Sequence, residues 1–179
     1  TSGQPLHRRF LVSSGAGYDA EVCRNIFTTG LKPFLNRLHL GKLSYLLIGI
    51  KQIVLCRGAD GCLTIDGAKK LPLKQIRFIS AHIQKYEGGG FCFAPGADPA
   101  DGLLELCVVS GVSRLKLTLL LAASLFGKHT SFKGVRTYSC KEATLSSGRP
   151  VQVHTDGEDC GLQTEISFHC ERRKLRFLC

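Results

Sequence analysis

The sequence predicts a mainly β, α+β domain: an antiparallel β-sandwich with two to three helices. Three observations lead there. After Arg57 the chain breaks into short runs rich in Ile, Val, Phe and Thr at close intervals. Four Asp-Gly dipeptides, at 60–61, 66–67, 101–102 and 156–157, lie among those runs, and Asp-Gly is the strongest short hairpin signal. Helical periodicity is confined to the residues before Arg57 and to one stretch at about 113–126. The 179 residues suit one domain, for which roughly 100–200 residues is usual. A helical section at about 18–56 would precede a β-sandwich at about 60–179.

The elements follow in order. RRFLVSS (8–14) reads as a strand that ends at the turn GAG. YDAEVCRNIFTTG reads as a helix, with Asp19 and Glu21 in the first turn, where the dipole favours acids, and Gly30 at the exit. From Gly41, apolar residues at Leu43, Leu46, Leu47, Ile50, Ile53 and Val54 form an amphipathic helical stripe, with Lys42, Lys51 and Gln52 off it. The strand candidates are CLTID, QIRFISAHI, FCFA, LLELCVV, VRTYSC, EATLSS, VQVHT, TEISFHC and KLRFLC. Period-two alternation is visible in VQVHT and EISFH.

The net charge of +10 is uneven: residues 1–57 carry eight Lys/Arg against two acids. A basic first third suits phosphates, anionic headgroups or nucleic acid, or is an ordinary solvated face. A nucleic-acid binder needs basic and aromatic side chains on one sheet face, whereas the aromatics here fall at apolar strand positions. The longest apolar run, LKLTLLLAASLF at 115–126, is short of the ~20 residues that span a bilayer. Nine cysteines without a CxxC pair do not form a disulfide framework and point to a reducing cytoplasm. His154, Cys160, His169 and Cys170 match no zinc spacing. The chain begins at Thr and contains no Met, as expected of an excised or processed piece.

Chemistry-bearing motifs are few. Gly88–Gly90 leads into a strand candidate and not a helix, so it reads as a close backbone approach or a bulge. GKH at 127–129 lacks the flanking residues of a phosphate loop, and no GxSxG elbow is present. In PGADPADGLLE (95–105), Asp98 and Asp101 occupy a Pro/Gly-rich bend: a polar turn or a cation site. In HTDGE (154–158), Asp156 and Glu158 flank Gly157: an acidic hairpin tip, or a pair that accepts a proton from a hydroxyl or holds a cation beside phosphates.

In sequence, SSGAGYDAEV, YEGGG, FAPGADPADGLLEL, GKH and VQVHTDGE resemble the C-terminal half of the diacylglycerol/sphingosine-type lipid kinases, closest to the bacterial diacylglycerol kinase-like branch. The resemblance runs from about Phe10 to the end. It implies the second domain of a two-domain lipid kinase, in which ATP phosphorylates a lipid hydroxyl in the cleft between a nucleotide-binding domain and a β-sandwich. It implies a structural magnesium held by the Asp101 carboxylate and the carbonyls of Asp98 and Leu103, with the Asp98 side chain left open as a further ligand. It makes Glu158 the proton acceptor, with Asp156 as alternative base or ligand of a magnesium-bound water, the two roles being exchangeable. The family's Gly-Gly-Asp-Gly-Thr type nucleotide loop is absent from all 179 residues, so ATP would be held by an N-terminal domain outside this chain, and the chain alone would be inactive. The implied substrate is diacylglycerol, giving phosphatidic acid. A sphingoid-base kinase and a non-catalytic lipid-binding module are the alternatives. The expected partners are the lipid substrate and an anionic membrane surface met by basic residues near 24–57, with no nucleic acid and a homodimer left open. The expected location is cytoplasmic and peripheral to the membrane.

Overall fold

The computed structural model describes residues 7–28 and 49–171. Seven strands form one antiparallel sheet: β1 (Ser13–Gly17), β2 (Ala59–Ile65), β3 (Lys69–His82), β4 (Leu104–Ser110), β5 (Val135–Cys140), β6 (Glu142–Thr155) and β7 (Glu158–His169). Helix α1 spans Tyr18–Thr28, α2 is described over 49–55, and α3 spans Arg114–Ser124.

β3 and β6 are twice as long as the strands between them, and this shapes the sheet. Both pair with β2 at one half and with β1 at the other: Leu63 lies between Leu71 and Leu145, and Gly15 between Ser80 and His154. β1 and β2 therefore share one strand slot end to end. Outside it, β4 and β5 continue from β3, and β7 continues from β6.

The sheet cannot be flat. Four strand spacings, roughly 19 Å, would separate β5 from β6 in a flat sheet, yet only Lys141 connects them. Two peptide steps reach about 7.6 Å. The Lys69 ammonium, at the β2–β3 end, also sits 4.7 Å from the centre of the Tyr138 ring on β5. The two layers of the expected sandwich are thus the wings of one curled sheet. Its inner face packs Leu63, Ile79, Leu106, Val108, Leu145 and Phe168 without a contribution from any described helix. On the outer face, Tyr18, Ile53, Leu117 and Leu120 cover Phe78, Cys107 and Val109. Truncating a fully buried leucine such as Leu63 to Ala costs about 2–5 kcal/mol through lost transfer energy and the residual cavity.

The sequence-based elements need four corrections. GAG lies inside β1 and not in a turn. FCFA is not a strand: Cys92 and Ala94 donate to the carbonyls of Ser124 and Lys85, and Phe93 packs between Phe78, Phe91 and His129. EATLSS and VQVHT are one strand, β6. Gly88–Gly90 is a 3-10 turn in which an added Cβ at Gly88 or Gly90 would meet nothing within 4 Å, so it serves neither close approach nor a bulge. Most of the stripe begun at Leu43, and KLRFLC, lie outside the described residues.

Two of the Asp-Gly dipeptides form hairpin turns, Asp66-Gly67 between β2 and β3 and Asp156-Gly157 between β6 and β7. The Asp of each has φ near +50°. Asp60-Gly61 instead lies within β2 at a register shift, and Asp101-Gly102 lies in the bend before β4.

Candidate active site

The two predicted site segments lie at the same end of the sheet. Thr155 pairs with Ser14, Ser13 with His82, and His82 with Glu105. The β6–β7 turn, the entry to β1, the exit of β3 and the bend before β4 therefore lie side by side. About three strand spacings, roughly 14 Å, separate the turn from the bend.

At the β6–β7 turn the two acids do different things. Asp156 accepts three backbone N–H groups, from Leu11 (2.8 Å, Oδ2) and from Val12 and Ser13 (2.9 and 3.0 Å, Oδ1). Its own N–H donates to the Ser13 carbonyl at 2.8 Å. Both central residues need positive φ, 49° at Asp156 and 85° at Gly157, which is the type I′ requirement that Asp-Gly satisfies. Glu158 is left outside this clasp. Its side chain is 74% exposed and is paired with Arg8 at 2.9 Å.

Behind the turn lies a buried polar hub that the sequence reading did not assemble. His154 Nδ1 accepts the Gly157 N–H (3.2 Å), and Nε2 lies 3.2 Å from Asp19 Oδ2. The first contact places the ring proton on Nε2, directed at Asp19. Asp19 Oδ1 accepts the Ala20 N–H at 2.8 Å. Glu87 reaches the same place from the 3-10 turn: its Oε1 is buried without a hydrogen-bond partner. Burial pushes the Glu87 carboxyl up to about 7, and the Asp19 charge adds to the rise. Gly15 leaves the space for this contact, because a Cβ there would come 2.1 Å from Asp19 Oδ2 and 2.9 Å from His154 Nε2. His82 lies nearby, held to about 4 by burial, with Nε2 on the Ser80 hydroxyl at 2.8 Å.

Asp19, Glu87 and His154 bring ligand-type atoms within 4.8 Å of one another. Metal ligation through Nε2 requires the other ring nitrogen to donate, and here that nitrogen faces a donor, the Gly157 amide. The hub is hydrogen-bonded support for the turn and does not present a metal-ready donor set. His154, Cys160, His169 and Cys170 form no such group among the described residues, and the described cysteines are free thiols.

The bend before β4 satisfies its acids locally. Asp98 Oδ1 accepts the Ala100 N–H (2.9 Å), and Asp101 Oδ1 accepts the Leu103 N–H (2.8 Å). The Asp98 carbonyl accepts the Asp101 N–H at 3.3 Å. Glu105 faces the same bend, its carboxyl raised by burial and by the Asp101 charge. This oxygen-only set, with Asp101 Oδ2 uncommitted, fits the hard-cation chemistry of magnesium.

A cavity of about 80 Å³ occupies the gap where β1 ends and β2 begins. Gly17, Ala59, Glu21, Arg77, Arg149 and Gln152 are among its lining residues. Ligand pockets run about 300–1,000 Å³, so it has room for a few waters and not for an acyl chain. The 127–129 segment is no phosphate cradle: His129 is buried and its Nε2 lies 3.1 Å from the Phe93 carbonyl.

Asp19 reads in sequence as a helix-dipole acid, and Glu87 stands there only within the motif YEGGG. The available signal was the pairing of GAG with the buried-strand position of His154, and it becomes legible only once β1 is placed against β6.

Residues 12–179 match the family described as the YegS C-terminal NAD kinase beta sandwich-like domain. YtlR of Bacillus subtilis (strain 168), classed as a lipid kinase, is 28% identical over 153 residues, covering 85% of this chain and 49% of that protein. A protein named diacylglycerol kinase from Mycobacterium tuberculosis (strain CDC 1551 / Oshkosh) is 27% identical over 128 residues, covering 71% of this chain and 41% of that protein. The chain thus spans less than half the length of these two relatives. A crystal structure from Bacillus anthracis str. Sterne, classed as a diacylglycerol kinase, superposes with TM-score 0.58 at 20% identity, covering 89% of this chain and 50% of that one.

Proposed function

The chain belongs to the family of YegS C-terminal domains, whose relatives above are named as lipid kinases, and on that premise we propose that it is the acceptor-side half of an ATP-dependent kinase acting on a lipid hydroxyl, with diacylglycerol as substrate. The observation that carries this reading is the division of labour at the β6–β7 turn. Asp156 spends its carboxylate on three backbone amides, while Glu158 stands beside it, exposed and held only by Arg8. A proton acceptor needs free lone pairs and access to the hydroxyl it serves, and Glu158 has both. Asp156 fixes the turn that presents it, and Arg8 orients it until substrate arrives.

Phosphoryl transfer depends chiefly on positioning and on neutralising the phosphate charge. Asp101, with the carbonyls of Asp98 and Leu103, would hold a structural magnesium that steadies the bend before β4, about three strand spacings from Glu158. ATP would be bound mainly by residues outside this chain. Among the described residues, the β1–β2 cavity is too small for acyl chains and the inner face is filled by its own side chains, so neither is assigned the acyl part of the lipid.

The test is ATP-dependent phosphate transfer by the full-length protein in mixed micelles of diacylglycerol, sphingosine and monoacylglycerol. Phosphatidic acid as product supports the reading. A folded, ATP-binding protein that phosphorylates none of the three lipids would overturn it.

A further inference from the structure

Helix α3 is apolar on both sides. Leu117 and Leu120 are buried against the sheet, while Leu115 and Leu119 are 74% and 54% exposed. Ala122 is also exposed, as is Phe126 (78%) in the turn that follows. These four positions run i, i+4, i+7 and i+11, a continuous outward stripe. Surface leucines scattered singly need no explanation, but a contiguous apolar patch marks an interaction site. Helix α2 packs on the same outer layer through Ile53, and its outward side carries Ile50 and Val54, 48% and 58% exposed.

The segment that carries this face is of one sign. Between Leu106 and Lys141 there is no Asp or Glu, and there are six cations: Arg114, Lys116, Lys128, Lys133, Arg136 and Lys141. None forms an ion pair among the described residues. An apolar helical stripe with unpaired cations beside it has the chemistry of an interfacial helix: apolar side chains enter the headgroup–acyl boundary while the cations meet anionic headgroups. No described helix is long and apolar enough to cross a membrane, and lying on a surface requires only the stripe. A second copy of the chain is a poor occupant, because a two-fold interface would set Arg114, Lys116 and Lys128 of one copy against the same cations of the other.

We propose that the outward face of α3, continued by Phe126 and flanked by Arg114, Lys116 and Lys128, docks on anionic lipid bilayers. This goes beyond the phosphotransfer reading and stands without it, since it needs neither ATP nor the β6–β7 turn. It stands beside the contact expected of the basic residues near 24–57, most of which lie outside the described residues.

The chain contains no Trp, so Phe126→Trp supplies a single fluorescent reporter. The full 179-residue chain would be mixed with vesicles of phosphatidylcholine alone and with vesicles containing about one-fifth phosphatidylserine. A blue shift and co-flotation with the anionic vesicles are expected, weakening as salt rises. Lys116→Glu/Lys128→Glu should weaken partitioning by at least about 25-fold, each lost cation counting roughly fivefold. Leu115→Ser/Leu119→Ser, with an unchanged circular dichroism spectrum, should weaken it about tenfold or more. No binding to anionic vesicles would overturn the proposal, as would binding that both double variants leave intact. So would a dimer, seen by sedimentation, that the Leu115/Leu119 substitutions dissociate in the absence of vesicles. Because no ATP is present, none of these outcomes bears on whether the protein is a kinase.

Discussion

At the β2–β3 turn, Asp66 has φ 48°, donates its N–H to the Glu142 carbonyl at 3.0 Å, and accepts the N–H groups of Lys141 and Glu142 at 2.9 and 3.0 Å. At the β6–β7 turn, Asp156 has φ 49°, donates to the Ser13 carbonyl at 2.8 Å, and accepts the N–H groups of residues 11–13. Both tips clasp the start of a neighbouring strand by the same device. They differ in what accompanies the Asp. Two residues on stands Ala68 in one and Glu158 in the other. Two residues back stands half-buried Thr64 in one, and in the other His154, buried and tied to Asp19. The shared Asp is therefore explained by folding alone. What is peculiar to the β6–β7 turn is the exposed glutamate in front and the polar hub behind.

The strongest way to break this comparison is to exchange the peculiar residue. Glu158→Gln in the full-length protein should lower kcat by about 10²–10⁴-fold, the usual size of a general-base contribution. Its thermal midpoint should scarcely move, because the side chain is exposed. If activity survives, Glu158 is no more special than Ala68. Next in size is Gly15→Ala, whose methyl would displace Asp19 from His154. Overpacking of this kind costs about 1–3 kcal/mol, read by chemical denaturation.

The two clasps can then be weighed against each other. Asp156→Ala and Asp66→Ala should each destabilise by about 1–2 kcal/mol through lost charge-assisted hydrogen bonds. The first should cost somewhat more, since it strands three amides against two. Only the first should impair phosphate transfer.

The smallest effect is one of slope. The Glu87 carboxyl is raised to about 7 by burial first and the Asp19 charge second, from an ordinary 4.5. A raised acid contributes stability that is fully present below its unfolded value and is lost as pH rises through its folded one. Glu87 should therefore contribute a loss of stability from pH 4.5 to 7, opposed by His82, which burial lowers to about 4 and which adds stability as pH rises through that range, so Glu87→Gln should tilt the stability profile upward there.

Much of the fold was legible in the sequence because it depends on local patterns. Val135–Cys140 was delimited to the residue, α3 to within two, and the Asp-Gly turns at 66–67 and 156–157 were marked by one of the few dipeptides that readily take both positive φ values. FCFA misled because a run of apolar residues reads alike in a strand and in a packed loop. GAG misled because glycines signal a turn, whereas Gly15 answers to Asp19 and His154 across the sheet. The acids of the β6–β7 turn were legible as a pair, but their unequal use was not. That depends on residues 11–13, more than 140 positions away, and no local pattern encodes it. Asp19 and Glu87 were hidden for the same reason.

The shared central slot has a consequence for the order in which the chain can fold. β1 emerges ahead of the other strands of the sheet, yet one edge of it is completed by β6, and Ser14 meets Thr155 141 positions later. Pairings so distant in sequence are slow to form, because loop closure must precede any gain from them. The β2–β3–β4 segment, by contrast, joins near neighbours. On the ribosome, then, the Gly-rich β1 must wait unpaired on its β6 side while most of the domain is made, and the hub and clasp that steady Glu158 are among the last parts to form.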